Sequence, residues 1–128
     1  LQKEAADRYI ASHGDKNFGA ISIILQSAFS INSKNPVSAR CFYPTPKVDS
    51  VLIRLDRRQN SIRFSTSARL FMRRIFTQRR KQLGKICKTD TQVGALKWFH
   101  NLLDLGIHPK IRAEELAIEN WQKLKDYT

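Results

Sequence analysis

Acidic residues are scarce in this chain. Asp and Glu number 11 against 23 Lys and Arg, which leaves a formal charge of +12. Cysteine is scarcer. Cys41 and Cys87 cannot build a disulfide framework, and no His or Cys stands at zinc-ligand spacing from them, so neither a disulfide scaffold nor a metal site is expected. A reducing, cytoplasmic setting is the simplest reading. The five glycines are scattered, so no Gly-rich phosphate loop occurs. No apolar run approaches the roughly 18 residues of a membrane span, so no membrane partner is expected. The opening Leu1-Gln2-Lys3-Glu4 is too polar for a signal peptide. Methionine occurs once, at Met72, so the 128 residues are expected to be a processed or excised segment. What is present suffices for a packed core: 41% of residues are hydrophobic, which argues against a disordered chain.

The excess charge is local. Residues 54–88 hold twelve Lys or Arg and one acid, Asp56, while the segments on either side are nearly neutral. A block of one sign is an electrostatic footprint for a polyanion, most often nucleic acid. A merely solvated helix face would mix both signs.

Periodicity predicts a short helix over 3–12, with Ala5, Ala6, Tyr9 and Ile10 on its apolar side. A buried helix follows over 18–29, with Phe18, Ile21, Leu25, Ala28 and Phe29 inward. Residues 30–42 read as extended, interrupted by a loop-like Asn32-Ser33-Lys34-Asn35-Pro36. Residues 48–55 alternate as a strand, with Val51, Ile53 and Leu55 on one face, Val48 and Leu52 on the other, and both faces covered. Beyond Asp56–Ser61 the pattern is helical. Ser65, Thr66 and Ser67 offer capping hydroxyls, and Ala68, Phe71, Met72, Ile75 and Phe76 form a stripe. Thr89-Asp90-Thr91 signals the start of a helix over about 92–105, with Leu96, Phe99, Leu102 and Leu103 inward and Gly106 as its stop. Short helices follow over 111–116 and 118–127, with Leu116, Ile118, Trp121 and Leu124 in the core. The chain therefore divides into an α/β piece, residues 1–58, and a helical piece, residues 59–128.

No catalytic constellation is complete, and His13, His100 and His108 stand alone. The sharper feature is Phe42-Tyr43-Pro44-Thr45-Pro46-Lys47. Each proline fixes its own φ and extends the residue before it, which makes a stiff loop around two rings. Such a ring is a stacking platform for an unstacked base. The competing role for Phe42 is to plug the core. Adjacent rings in extended chain point opposite ways, so one of the two is expected to be exposed.

Three segments resemble the ribosomal RNA adenine dimethyltransferases: Gln2-Lys3-Glu4-Ala5-Ala6-Asp7-Arg8, Phe18-Gly19-Ala20-Ile21-Ser22, and Phe42-Tyr43-Pro44-Thr45-Pro46-Lys47-Val48-Asp49-Ser50. Gln78-Arg79-Arg80-Lys81-Gln82-Leu83 and Arg112-Ala113-Glu114-Glu115-Leu116 are similar to the C-terminal domain of the small-subunit, bacterial type. The resemblance implies an α+β fragment: the C-terminal part of a Rossmann-like methyltransferase sheet (helices plus an antiparallel strand pair), followed by a small all-helical domain. It implies an enzyme that uses S-adenosylmethionine to dimethylate two adjacent adenines near the 3′ end of small-subunit rRNA. The cofactor and catalytic motifs would precede this segment, so no cofactor-binding residue is expected here and the segment alone is expected to be inactive. Phe42 would pack on the target adenine, with Pro44, Pro46 and Lys47 shaping its loop. Arg73, Arg74, Arg79, Arg80, Lys81 and Lys85 would meet rRNA phosphates on the small ribosomal subunit. The rivals are a non-enzymatic nucleic-acid-binding relative, such as a transcription or ribosome-assembly factor, and the branch that methylates large-subunit rRNA in antibiotic resistance.

Overall fold

In a computed structural model, which describes residues 1–90 and 94–128, helix α1 (Lys3–Ile10) leads into α2 (Ala20–Ala28) and a hairpin of β1 (Phe29–Val37) and β2 (Ser50–Arg57). Four helices follow: α3 (Thr66–Phe76), α4 (Leu83–Thr89), α5 (Ala95–Asp104) and α6 (Ile118–Gln122). The expected helix start at residue 92 and the capping signal at Thr91 lie outside the described residues.

The two strands pair antiparallel from Phe29↔Arg57 at the root to Val37↔Ser50 at the tip. β1 runs straight through Asn32–Pro36, where a loop was expected. Two local devices allow this. Asn32 is the extra residue of a bulge between the Ile31↔Leu55 and Ser33↔Arg54 pairs, and its amide donates to the Asp56 carboxylate. Pro36 lies in a sheet of only two strands, where a missing N–H is tolerated. Only one face of β2 is well covered. Val51 is buried, but Leu52, Leu55 and Val48 are exposed, so the expectation of two covered faces does not hold for this chain.

α2 is helical as expected but is turned about its axis. Its buried residues are Ser22, Ile23 and Ser27, while Ile21 is exposed. The two serines explain the turn, because each is bonded where it is buried. Ser22 Oγ donates to the Arg8 carbonyl and accepts from the Gly19 N–H. Ser27 Oγ accepts from Gln122 Nε2 at 3.3 Å. Apolar periodicity cannot see a packed face made partly of hydroxyls.

The core runs without a break from the first helices into the last. Phe18, Ile23, Phe71, Met72, Ile75, Leu83, Trp98, Leu102, Leu116, Trp121 and Leu124 all belong to it. A chain of rings forms its spine. Phe18 meets Phe76 edge-on at 6.1 Å, Phe76 lies 5.5 Å from Trp121, Trp121 5.2 Å from Trp98, and Phe71 meets Trp98 edge-on at 6.3 Å. These spacings fall within the favourable range of about 4.5–7 Å. The α3 stripe appears as expected, capped by Ser65 Oγ on the Ala68 N–H at 3.1 Å. In α5 the inward residues are Ala95, Trp98, Phe99 and Leu102, while Leu96 is exposed. Trp98 takes the place expected of Leu96 because its Nε1 reaches the Asn120 carbonyl at 3.0 Å, which satisfies the indole inside the core. Gly106, at φ +93°, ends α5 in the left-handed conformation glycine adopts without strain.

α4 packs on α5 through a glycine. A Cβ added to the buried Gly84 would lie 2.7 Å from the Phe99 ring. Gly84→Ala should therefore lower stability by about 1–3 kcal/mol, the usual cost of overpacking, and Phe99→Leu should recover part of it. Urea unfolding of the single and double variants measures both effects. Equal stability of Gly84→Ala and the parent would show that the two helices part freely.

Candidate nucleic-acid interface

The proline loop caps the free end of the hairpin. It leaves β1 through a single 3-10 turn, Ala39–Cys41, and is closed at its base by Asp49. Asp49 Oδ1 accepts from the Ala39 N–H at 2.9 Å, and the Asp49 carbonyl accepts from the Lys3 N–H at 3.1 Å. Thr45 Oγ1 donates to the Phe42 carbonyl at 3.4 Å. Pro44, Pro46 and Lys47 are exposed, and the Tyr43–Pro44 bond is cis. Phe42 is 45% exposed and Tyr43 wholly so, so both rings are open where one was expected to be covered. Within this chain Phe42 is not among the core residues, so it does not plug the helical core. Asp49 is a loop-bracing residue that sequence reasoning passed over. It sits inside the quoted proline motif, but only the structure shows it bracing both the loop and the start of α1.

The six basic residues expected to meet phosphates divide into two kinds. Arg74 is turned inward: its Nε and Nη2 donate to the Asp90 carboxylate at 3.1 and 2.8 Å, and its guanidinium lies 5.8 Å from the Phe71 ring centre. Arg79 is also engaged. Its Nη1 donates to the Phe18 carbonyl at 2.7 Å and the Lys16 carbonyl at 3.4 Å, lies 3.8 Å from Glu114, and its guanidinium sits 5.1 Å from the Phe76 ring centre. Arg73, Arg80, Lys81 and Lys85 are exposed, and among the described residues they make no ion pair. The basic run does not continue α3, which ends at Phe76. Residues 77–81 form a turn, closed by the Lys81 N–H on the Gln78 carbonyl at 3.0 Å, and Phe76–Lys81 line a cleft of ≈ 360 Å³. Arg80 and Lys81 therefore project from a turn rather than a helix face.

Loop and turn are not adjacent. α1 starts at the base of the loop, where the Lys3 N–H meets the Asp49 carbonyl, and about 12 Å on its last turn faces the basic turn, because Arg8 and Arg79 line one cleft. This arrangement suits an extended strand of nucleic acid, with a ring for one base at one end and free cations for phosphates at the other. Of the two cysteines, Cys41 is exposed beside Phe42, while Cys87 is buried, and burial, and then the charge of Asp90, push its thiol up to about 12. Two of the five glycines, Gly14 and Gly106, adopt positive φ, and neither opens a helix behind a strand. Among the described residues no group of three or more His, Cys, Asp or Glu could hold a metal, and no helix is long and apolar enough to cross a membrane.

Known proteins share this sequence and this shape. The profile of the family described as ribosomal RNA adenine dimethylase matches residues 1–128. A ribosomal RNA small subunit methyltransferase A of Opitutus terrae is 39% identical over 125 residues, covering 98% of this chain and 45% of the relative. One from Aster yellows witches'-broom phytoplasma is 34% identical, with 97% and 47% covered. The chain thus spans about half the length of the curated relatives it matches. Among solved structures, a dimethyladenosine transferase from Plasmodium falciparum superposes with TM-score 0.74 at 24% identity, covering 96% of this chain and 53% of that one. A 23S rRNA methyltransferase, ErmE, superposes at 0.58 with 21% identity, covering 98% and 51%. At these identities the two structures speak for the fold: helices and a strand pair as in the C-terminal part of a Rossmann-like methyltransferase.

The division of the basic residues has a direct test. Arg79→Ala strips a charged donor from a part-buried carbonyl and should cost about 1.5–3 kcal/mol. Arg80→Ala, at an exposed position without an ion pair, should stay within about 0.5 kcal/mol of the parent. Chemical denaturation of the two variants side by side checks this, and equal losses would remove the distinction.

Proposed function

Because the chain belongs to the ribosomal RNA adenine dimethylase family, we propose that it is the C-terminal portion of an S-adenosylmethionine-dependent enzyme that dimethylates adjacent adenines near the 3′ end of small-subunit rRNA, in the cytoplasm. Residues 1–58 are assigned to the end of the catalytic domain and residues 59–128 to a helical rRNA-binding domain. The observation that carries this reading is the half-exposed Phe42 ring, at the end of a hairpin and in a loop shaped by Pro44, Pro46 and Lys47.

The physical logic starts from the substrate. An adenine amine inside a helix is out of reach, so the base must leave its stack. A ring on its face returns part of the lost stacking, about 1–3 kcal/mol per base, and holds the amine in one orientation. Phe42 takes that part. Arg73, Arg80, Lys81 and Lys85 meet the phosphate backbone, which positions the RNA without reading its sequence. Arg74 and Arg79 contribute through the fold: Arg79 holds the turn that presents Arg80 and Lys81. The methyl donor is supplied by S-adenosylmethionine, bound by residues outside this chain, so this portion alone is inactive.

The test is methyl incorporation by the full-length protein. Mass spectrometry of small-subunit RNA should show two adjacent dimethylated adenines, and modification of large-subunit RNA alone would overturn the assignment. Phe42→Ala should reduce methyl transfer by roughly 5- to 150-fold, from the stacking energy above. S-adenosylmethionine binding, measured by calorimetry, should be unchanged. Turnover equal to the parent would remove Phe42 from the reaction.

A further inference from the structure

A second cationic feature lies between the loop and the basic turn. Arg8, Lys16, Asn17, Gly19, Ala20, Ile21 and Arg79 line a cleft of ≈ 420 Å³. That volume is within the roughly 300–1,000 Å³ of small-molecule sites. Every charged residue in the lining is positive. Three elements bring them together: the last turn of α1 supplies Arg8, the loop before α2 supplies Lys16, and the turn after α3 supplies Arg79.

The site is partly built in advance. Arg79 is held by the Phe18 and Lys16 carbonyls through Nη1, so its charge stays in place without a ligand. Its Nη2 lies against Gly19, where an added Cβ would come within 3.1 Å, so the absence of a side chain leaves that wall open. Three acids are nearby, and none lines the cleft: the Asp15 carboxylate is engaged by the Asn17 N–H at 2.8 Å. Glu4 pairs with Arg8 at 3.5 Å and Glu114 with Arg79 at 3.8 Å. The Arg8–Glu4 pair is solvent-exposed and i,i+4, a kind that contributes only tenths of a kcal/mol, so Arg8 is readily released to an anion.

The position is as informative as the charge. α1 begins at the base of the Phe42 loop, where the Lys3 N–H meets the Asp49 carbonyl, and about 12 Å later ends at the cleft. Arg79 is shared between the cleft and the turn that carries Arg80 and Lys81. The cleft is therefore the intermediate step on a path from the loop to the turn. We propose that it binds one phosphodiester group of the RNA strand, between the nucleotide held at Phe42 and the phosphates met by Arg80 and Lys81. This inference rests on the RNA-binding reading above.

The test is the salt dependence of binding of a single-stranded oligoribonucleotide to the full-length protein. Removing two phosphate contacts with Arg8→Gln plus Lys16→Gln should lower the slope of log affinity against log salt by about 1.4, and Arg8→Lys plus Lys16→Arg should restore it. Arg80→Gln plus Lys81→Gln is the reference pair. A change for the reference pair alone overturns the cleft and leaves the RNA reading standing. No change for either pair overturns the RNA reading and the cleft with it. Thermal melting of the Arg8/Lys16 pair should match the parent, because both side chains lie at the surface; a large loss would assign them to the fold and sink the proposal.

Discussion

The Arg79 guanidinium ties the helical body to the segment before it, together with the Ser27–Gln122 bond and the Gly14 N–H on the Glu114 carbonyl. Arg79 reaches across 61 residues of sequence to the Phe18 carbonyl, and its flat face covers Phe76, which in turn meets the Phe18 ring. Phe18 is thus held twice, by the charged hydrogen bond from Arg79 to its carbonyl and by the Phe76 ring against its own. A lysine could not do both, because it lacks a planar group to lie on the ring. The turn carrying Arg80 and Lys81, the entry to α2 and the cationic cleft all take their positions from this contact. An interaction of this kind is strong where it is partly sheltered, and the core spine of rings supplies that shelter.

The basic block therefore does two jobs that composition cannot separate. Arg58, through Nε, donates to the Gln26 and Phe29 carbonyls at 2.9 and 3.2 Å, and Arg57 lies 5.5 Å from the Phe29 ring centre, so the hairpin root is also held by arginine. Arg57 and Arg58 remain exposed, but together with Arg74 and Arg79 they are held in fixed places by contacts within the fold. The cations left for a polyanion are fewer and more sharply placed than the net charge suggests.

Much of this was legible in the sequence and some was not, for definite reasons. The α3 stripe, the strand at 48–55 and the stop at Gly106 follow from local periodicity and turn chemistry, and the structure contains each of them. The proline motif announced an aromatic loop, and the loop is there. What was hidden depends on partners far away in the chain. Ser22 and Ser27 were not among the residues expected inward, and they are buried because their hydroxyls meet Arg8 and Gln122. Trp98 was not among them either, and it is buried with its indole on the Asn120 carbonyl. Arg74 and Arg79 looked like free cations because Asp90 and Phe18 lie 16 and 61 residues away. Apolarity and charge can be counted along the chain; who satisfies whom cannot.

The bulge at Asn32 gives the hairpin a mechanical character. Beyond it, the five residues Ser33–Val37 carry the loop outward by roughly 15–20 Å. The bulge is braced where the Asn32 amide meets the Asp56 carboxylate and Arg54 closes on the same group. The far end is tied as well, by the Lys3 N–H on the Asp49 carbonyl and the Val51 N–H on the Leu1 carbonyl. The arm is therefore a beam held at both ends, and the Phe42 loop takes its position from α1 as much as from the hairpin root.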